Sequence, residues 1–244
     1  MWQHFEPAGV AEGLSPAGHY VARMPDGSGL TLPLRDLGRT GVAGLIVNQA
    51  SFVVVERLAA WMSEIAAGVA PQVVAGLPTL GHVLAPLIAQ RLGHRNWVAL
   101  GTTRKLWYED ALSVPLSSIT SPAAGRRLWL DPRLMQRLQG RPVLLVDDVI
   151  STGASARAGL ALLLKAGAPA AAVIVAMAQG DRWRAGWFDE TPVLAVFASP
   201  LFDRFGSNWL ARAGSLAVDC CPLVRGENPP LPLCGRGGRA QRGG

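Results

Sequence analysis

Four consecutive apolar residues, Val143 to Val146, run into the acidic pair Asp147-Asp148, then two more apolar residues, then Ser151-Thr152-Gly153-Ala154-Ser155. No other stretch constrains the chain as tightly. A short uninterrupted apolar run marks a strand buried on both faces, as in a parallel sheet covered by helices. Helix spacing follows at once. Leu160, Leu163 and Leu164 fall on the inner face of a helix expected from about Ser155 to Ala166, with Gly167 as its stop. Buried strands are expected at Ala171 to Ala178 and Val193 to Ala198. Upstream the alternation repeats. Val54, Leu58, Trp61, Met62 and Ile65 mark a helix closed by Gly68, and Val73 to Leu77 reads as a strand. Leu80, Val83, Leu84, Leu87 and Ile88 mark a second helix up to Gly93, where Pro86 predicts a kink or a late start, and Trp97 to Leu100 reads as a short strand. Strands alternating with helices predict an α/β fold with a central, mainly parallel sheet flanked by helices.

The flanks read differently. Residues 1–41 form an N-terminal extension in which His19 to Met24 and Leu30 to Leu34 are expected as two strands around Pro25-Asp26-Gly27. The core is expected over 42–200, with a long polar loop or loose hairpin at 102–125 and a further core extension at 201–224. Residues 225–244, rich in Gly, Pro and Arg, are expected to be a disordered tail. With 50% hydrophobic and only 16% charged residues, whole-chain disorder is excluded. The net charge of +6 resolves into a +4 segment at 120–141 and a +3 segment at 225–244, with the rest near neutral. A broad basic face is not implied, so a nucleic-acid partner is not expected. The start of the chain lacks a basic then apolar stretch, and Lys165, Gly167 and Pro169 interrupt the most apolar region, 160–178. No signal peptide and no membrane partner are expected, and the location is expected to be cytoplasmic. Three cysteines without a C-x-x-C, far in sequence from the four histidines, give no zinc or disulfide framework.

The chemistry follows from residue types. Two adjacent carboxylates at the C-terminal end of a buried strand lie at the sheet edge where α/β proteins bind ligands. The turn after them is small and hydroxylated, contains a glycine and leads straight into a helix. Successive backbone N–H groups in such a turn form an anion nest, and the helix N-terminus adds the positive end of its dipole. An acid pair followed by a phosphate cradle suits a ligand with hydroxyls and a phosphate, such as a ribose 5-phosphate. An apolar strand with two acids also resembles a Walker B element, but the chain has no G-x-x-x-x-G-K-[ST]. It also has no G-x-G-x-x-G after a strand and no G-x-S-x-G elbow.

The segment Val143 to Ser155 resembles the phosphoribosyl-diphosphate (PRPP) motif of the type I phosphoribosyltransferases, with Ser151 where Thr is commoner and Ala154 where a second Gly is common. The resemblance implies that Asp147 and Asp148 contact the ribose 2- and 3-hydroxyls, and that Ser151, Thr152, Gly153, Ala154 and Ser155 hold the 5-phosphate. Gly76-Leu77-Pro78-Thr79-Leu80-Gly81 resembles the family's diphosphate loop, where backbone N–H groups meet the leaving group. Arg104-Lys105 resembles the Arg-Lys pair of the adenine, xanthine and orotate enzymes, which places two cations where negative charge grows on diphosphate. Tyr108 and Glu109 follow, in what the resemblance makes a mobile hood loop in which adenine-specific relatives use a Tyr. Val114 to Ile119, Leu128 to Asp131 and Pro132 to Leu138 are similar to the hairpin and helix of adenine/xanthine-type enzymes.

Over residues 42–200 the resemblance implies the type I phosphoribosyltransferase fold with a small hood. It implies catalytic roles for Arg104, Lys105, Asp147 and Asp148, with Tyr108 among the PRPP-binding residues. The implied cofactor is Mg²⁺, held mainly by PRPP with no direct protein ligand. The implied partners are PRPP and a nucleobase, most simply an adenine- or xanthine-like purine in nucleotide salvage, and the implied assembly is a homodimer. Candidate base platforms are Trp183, Trp187 and Phe188, or Phe5 and Trp2 if the N-terminal region forms the hood. The rival reading is a non-catalytic PRPP-sensing regulator. Residues 1–41 are too short for a winged helix and carry no basic excess.

Overall fold

The apolar runs of the sequence become neighbours in one sheet. The structure is a computed structural model, and it describes residues 3–15, 18–116, 126–187 and 190–226. Five N-terminal strands, β1 (His4–Glu6), β2 (Gly13–Leu14), β3 (His19–Arg23), β4 (Gly29–Asp36) and β5 (Thr40–Ala43), precede the first helix, α1 (Phe52–Ala67). Next come β6 (Val73–Gly76), α2 (Gly81–Arg91), β7 (Val98–Ala99), β8 (Ser113–Pro115), β9 (Arg127–Trp129) and the one-turn α3 (Met135–Leu138). Then follow β10 (Val143–Ile150), α4 (Ala154–Lys165), β11 (Ala170–Gln179) and β12 (Val193–Ser199), and the chain returns as β13 (Leu201–Phe205) and β14 (Asn208–Ala211).

The central sheet has the order β12-β11-β10-β6-β7, and every pairing in it is parallel. Its alternating side chains feed two dry layers. Leu144, Val146, Ile174 and Val196 pack with α1, α2 and the N-terminal strands. Val143, Leu145, Val173 and Val175 pack with α4 and the β8–β9 hairpin. Burying one such side chain contributes about 1.5–3 kcal/mol, against about 0–1 kcal/mol for an exposed ion pair. These layers, and not the surface ion pairs, hold the site in place.

Several expectations change. The strand does not stop at the acid pair but runs through it to Ile150, because the ladder is one-sided: β6 pairs only as far as Val146, while β11 pairs on to Ile150. Leu164, expected inside, is 68% exposed, and Leu162 is buried in its place. The reason is that α4 also packs against the β8–β9 hairpin, which turns its buried stripe toward Leu162 and away from Leu164. Gly68 closes α1 in ordinary right-handed geometry, and the left-handed residue is Ala70, at φ 49°. Pro86 lies inside α2 without interrupting it. The strand expected over Trp97 to Leu100 pairs only at Val98–Ala99. Arg225 and Gly226 lie in a turn, and the rest of the expected tail, 227–244, lies outside the described residues, as do 117–125 of the long loop.

The N-terminal strands do not form a sheet by themselves. β1 to β5 are joined by β13 and β14 in one seven-stranded antiparallel sheet, in which β5 pairs with β13 through Thr40↔Asp203, Gly41↔Phe202 and Val42↔Leu201. Tyr20 of β3 and Phe202 of β13 meet edge to face at 5.4 Å between ring centres, so both ends of the fold share one core. Strand β5 also crosses the 41/42 boundary read from the sequence.

Candidate active site

The three helices that follow loops begin in different ways. Helix α1 is capped by Ser51, whose hydroxyl accepts the N–H of Val54 at 3.4 Å. Helices α2 and α4 have no side-chain cap and no acid in the first turn. Both start beside the C-terminal ends of the parallel strands. Their first N–H groups and dipole ends are therefore available to an anion from outside. Gly153 turns the chain into α4 at φ 75°, where a non-glycine residue is strained, and a Cβ there would lie 2.9 Å from an Arg157 guanidinium nitrogen. Above this turn is a cleft of about 110 Å³ lined by Asp147, residues 149–156 and Val175. That is room for several water-sized groups. All five residues expected to hold a phosphate, Ser151 to Ser155, line it.

The hydroxyls of the cradle are not equivalent. Ser151 Oγ donates to Gln179 Oε1 and accepts from Arg182, each at 2.8 Å, so its proton is already committed. The hydroxyl donors of the turn left for a ligand are those of Thr152 and Ser155.

The acid pair lies at the inner edge of this cleft, with Asp147 9% and Asp148 8% exposed. Burial raises the Asp147 carboxyl well above the usual range, and the Asp148 charge adds to the effect. The N–H groups of Asp148 and Gly81 work against it. Burial also pushes Asp148 up, to about 6, against opposing hydrogen bonds from Asp147 and the backbone. Two acids this close cannot easily carry full charge together in a dry site. Donated ligand hydroxyls would favour the ionised forms.

The turn expected to hold diphosphate abuts the acid pair directly. A Cβ on Gly81 would lie 2.6 Å from the Val146 carbonyl oxygen and 3.2 Å from an Asp147 carboxylate oxygen. The Pro78–Thr79 peptide is cis. Within the turn, Leu77 donates its N–H to Val146 at 2.9 Å and buries its side chain, and Pro78 has no N–H. Thr79 and Leu80 are thus the turn residues able to bring a backbone N–H to a ligand. Gly76, at the end of β6, spends its carbonyl on Leu100.

Arg104, Lys105 and Tyr108 are placed elsewhere. Arg104 and Lys105, with Leu106 and Trp107, line a separate, open cavity of about 620 Å³. Arg104 reaches Asp110 at 3.5 Å and lies 5.3 Å from the centre of the Trp129 ring. Tyr108 packs between Trp107 and Trp129, at 6.2 and 6.1 Å between ring centres. Partial burial and the Asp131 charge raise its phenol. These three residues do not line the cleft above the α4 turn.

The aromatic candidates for a base platform are used in packing. Trp183 is buried and meets Trp187 edge to face at 5.8 Å, and both lie against Gly153, at the phosphate end of the site. Phe5 meets Trp61 at 5.9 Å and carries the Arg57 guanidinium 4.2 Å above its ring. Trp2 and Phe188 lie outside the described residues. The residues that the sequence did not single out are Gln179 and Arg182. Gln179 Nε2 donates to the Ala43 carbonyl at 2.8 Å, so one side chain ties the antiparallel sheet to the turn that opens α4. Nothing in a linear motif marks that contact, since Ala43 and Gln179 lie far apart in the chain.

Among solved structures the chain is similar to adenine phosphoribosyltransferase from Thermoanaerobacter pseudethanolicus, at 19% identity over 59% of this chain and 79% of that one, TM-score 0.48. It is similar to adenine phosphoribosyltransferase from Saccharomyces cerevisiae at 19% identity, 60% and 81% coverage and TM-score 0.47. A purine phosphoribosyltransferase from Pyrococcus horikoshii matches at 20% identity, 61% and 85% coverage and TM-score 0.41. The sequence matches none of the curated proteins with which it was compared. The phosphoribosyl transferase domain family matches residues 45–195, a span that runs from before α1 into β12 and takes in both uncapped turns and the acid pair. With more than half of its length inside that match, and with the parallel sheet described above, the chain belongs to the phosphoribosyl transferase domain family and has the type I phosphoribosyltransferase fold.

Proposed function

We propose that the protein transfers the 5-phosphoribosyl group of PRPP to a ring nitrogen of a purine, adenine- or xanthine-like, and releases diphosphate. The observation that carries this reading is the junction of three features at one sheet edge: the uncapped α4 turn, the buried acid pair and the uncapped α2 turn. A ribose with a phosphate at one end and diphosphate at the other fits their order. The C1–oxygen bond to diphosphate breaks, the C1–nitrogen bond forms, and the base gives up its proton.

In this reading Asp147 and Asp148 accept from the ribose hydroxyls and orient the ring. The turn at 151–155 anchors the 5-phosphate, and Thr79 and Leu80 meet the diphosphate. Arg104 and Lys105 come to the leaving group when their exposed loop closes, which also excludes water. Positioning and charge stabilisation supply the rate, since no covalent intermediate with the protein is needed. Mg²⁺ is expected to be held mainly by the oxygens of PRPP, with no direct protein ligand. Among the described residues no group of three or more His, Cys, Asp or Glu side chains comes together. Held by PRPP, Mg²⁺ would neutralise charge on diphosphate. A homodimer, a cytoplasmic location and a role in purine salvage follow from the family resemblance. Among the described residues no helix is long and apolar enough to cross a membrane.

The test is an assay of diphosphate release with PRPP, Mg²⁺ and each common base in turn. Turnover with a purine is expected. Tight PRPP binding with no turnover on any base would instead favour a PRPP-sensing regulator. Lys105→Ala is expected to lower kcat far more than PRPP affinity, and equal loss of both would count against its role at the leaving group.

A further inference from the structure

Residues after β11 bring a cation to the phosphate cradle that the motif does not contain. Gly180, at φ 69°, turns the chain sharply against Leu201. The short helical turn Arg182–Arg184 follows, and Trp183 in its middle is buried. Trp183 Cβ packs 3.3 Å from the position a Cβ would take on Gly153. The segment is thereby wedged onto the backbone of the cradle. Arg182, next to the wedge, reaches Ser151 Oγ with one guanidinium nitrogen at 2.8 Å. Ser151 gives its own proton to Gln179 and so presents only a lone pair to Arg182. The serine, which lines the cleft, works as a fixed post that holds the guanidinium beside it.

Charge distinguishes Arg182 from its neighbours. Arg184 is paired with Asp219, and Arg212 with Asp203. Among the described residues neither Arg182 nor Arg157, beside Gly153, has a carboxylate partner, and only Arg182 bonds to a hydroxyl of the turn. The cleft it borders holds Asp147 and is next to Asp148, whose charge opposes entry of a phosphate dianion. Backbone N–H groups and a helix dipole offset this only in part, because the dipole amounts to about half a charge. A guanidinium can donate two parallel hydrogen bonds to a phosphate and supply a full charge.

We propose that Arg182 is a further ligand of the PRPP 5-phosphate, donating to it from the Ser151 post. The inference rests on the phosphoribosyl-transfer reading and adds a residue outside the motif to the phosphate site. It is tested by titration calorimetry on the full chain, with ribose 5-phosphate and diphosphate as separate probes. Arg182→Met is expected to weaken ribose 5-phosphate by on the order of tenfold or more. Diphosphate affinity and thermal midpoint should stay close to wild type. In turnover the KM for PRPP should rise, with kcat and the KM for the base little changed, and Arg182→Lys should recover part of the loss. Ser151→Ala, which removes the post but keeps the charge, should lose less than Arg182→Met. Unchanged ribose 5-phosphate affinity in Arg182→Met overturns the proposal. So does equal loss of both probes with a fall in thermal midpoint, which would make Arg182 a structural support only. If the wild-type chain binds neither PRPP nor ribose 5-phosphate, the phosphoribosyl reading itself fails and takes this inference with it.

Discussion

Asp147 and Asp148 are buried acids that weigh on the stability of the fold. The Asp148 carboxyl, raised from 3.8 to about 6 chiefly by burial, holds more protons in the folded chain than in the unfolded one between those values. Stability therefore falls as pH rises through that window, the opposite of a salt-bridged carboxylate. Asp148→Asn is expected to raise the thermal midpoint at neutral pH and flatten its pH dependence, while PRPP binding is lost. A midpoint below wild type at neutral pH would show that the charge is not the burden inferred here. PRPP affinity itself should weaken as pH falls below about 6, because a protonated acid is a poorer acceptor for ribose hydroxyls. At Gly81 the constraint is steric, since any Cβ meets the backbone of β10 at 2.6 Å. Gly81→Ala should cost about 1–3 kcal/mol by denaturant titration. Gly101→Ala, where a Cβ meets open space, should cost little. The acid pair and Gly81 were both visible in the sequence as part of a motif. Their burial was not, because it depends on α2 closing over β10.

Elements were legible where a few adjacent residues decide them. The run Val143 to Val146 is buried whatever it pairs with, and Thr152-Gly153-Ala154 can only turn into a helix, so β10 and α4 appear in the sequence nearly as they are in the fold. Element ends were less legible. Whether Asp147 to Ile150 continue the strand depends on β11 outlasting β6 as a partner, and Leu164 is exposed because a second hairpin, not the sheet alone, sets the buried stripe of α4. The caps divide the helices by task. Ser51→Ala, which removes the α1 cap, should lower stability by about 1 kcal/mol, read as a shift in denaturant midpoint. It should leave PRPP affinity unchanged, since α1 starts away from the cleft. Placing an acid at Ser155, in the first turn of α4, should do the reverse. Ser155→Asp favours the helix dipole yet repels the 5-phosphate, so PRPP affinity should fall while the thermal midpoint holds or rises.

At the scale of the whole molecule, the parallel core and the β3–β4 pair were readable and the rest of the antiparallel sheet was not. Strands as short as Gly13–Leu14 or His4–Glu6 leave no periodicity, and the pairing of β5 with β13 joins residues about 160 positions apart in sequence. Phe202, fully buried against Tyr20, holds that junction. Phe202→Ala should cost about 3–5 kcal/mol, seen as a large drop in thermal midpoint. Gln179 then links this sheet to the phosphate turn through Ala43 and Ser151. The late arrival of β13 also has a consequence for synthesis. A ribosome delivers β5 early and its partner only after every strand of the parallel core has emerged. Until then β5 is an open edge, able to pair with another nascent chain. The parallel core can close first, and the sheet over it is completed only when the last hairpin is released.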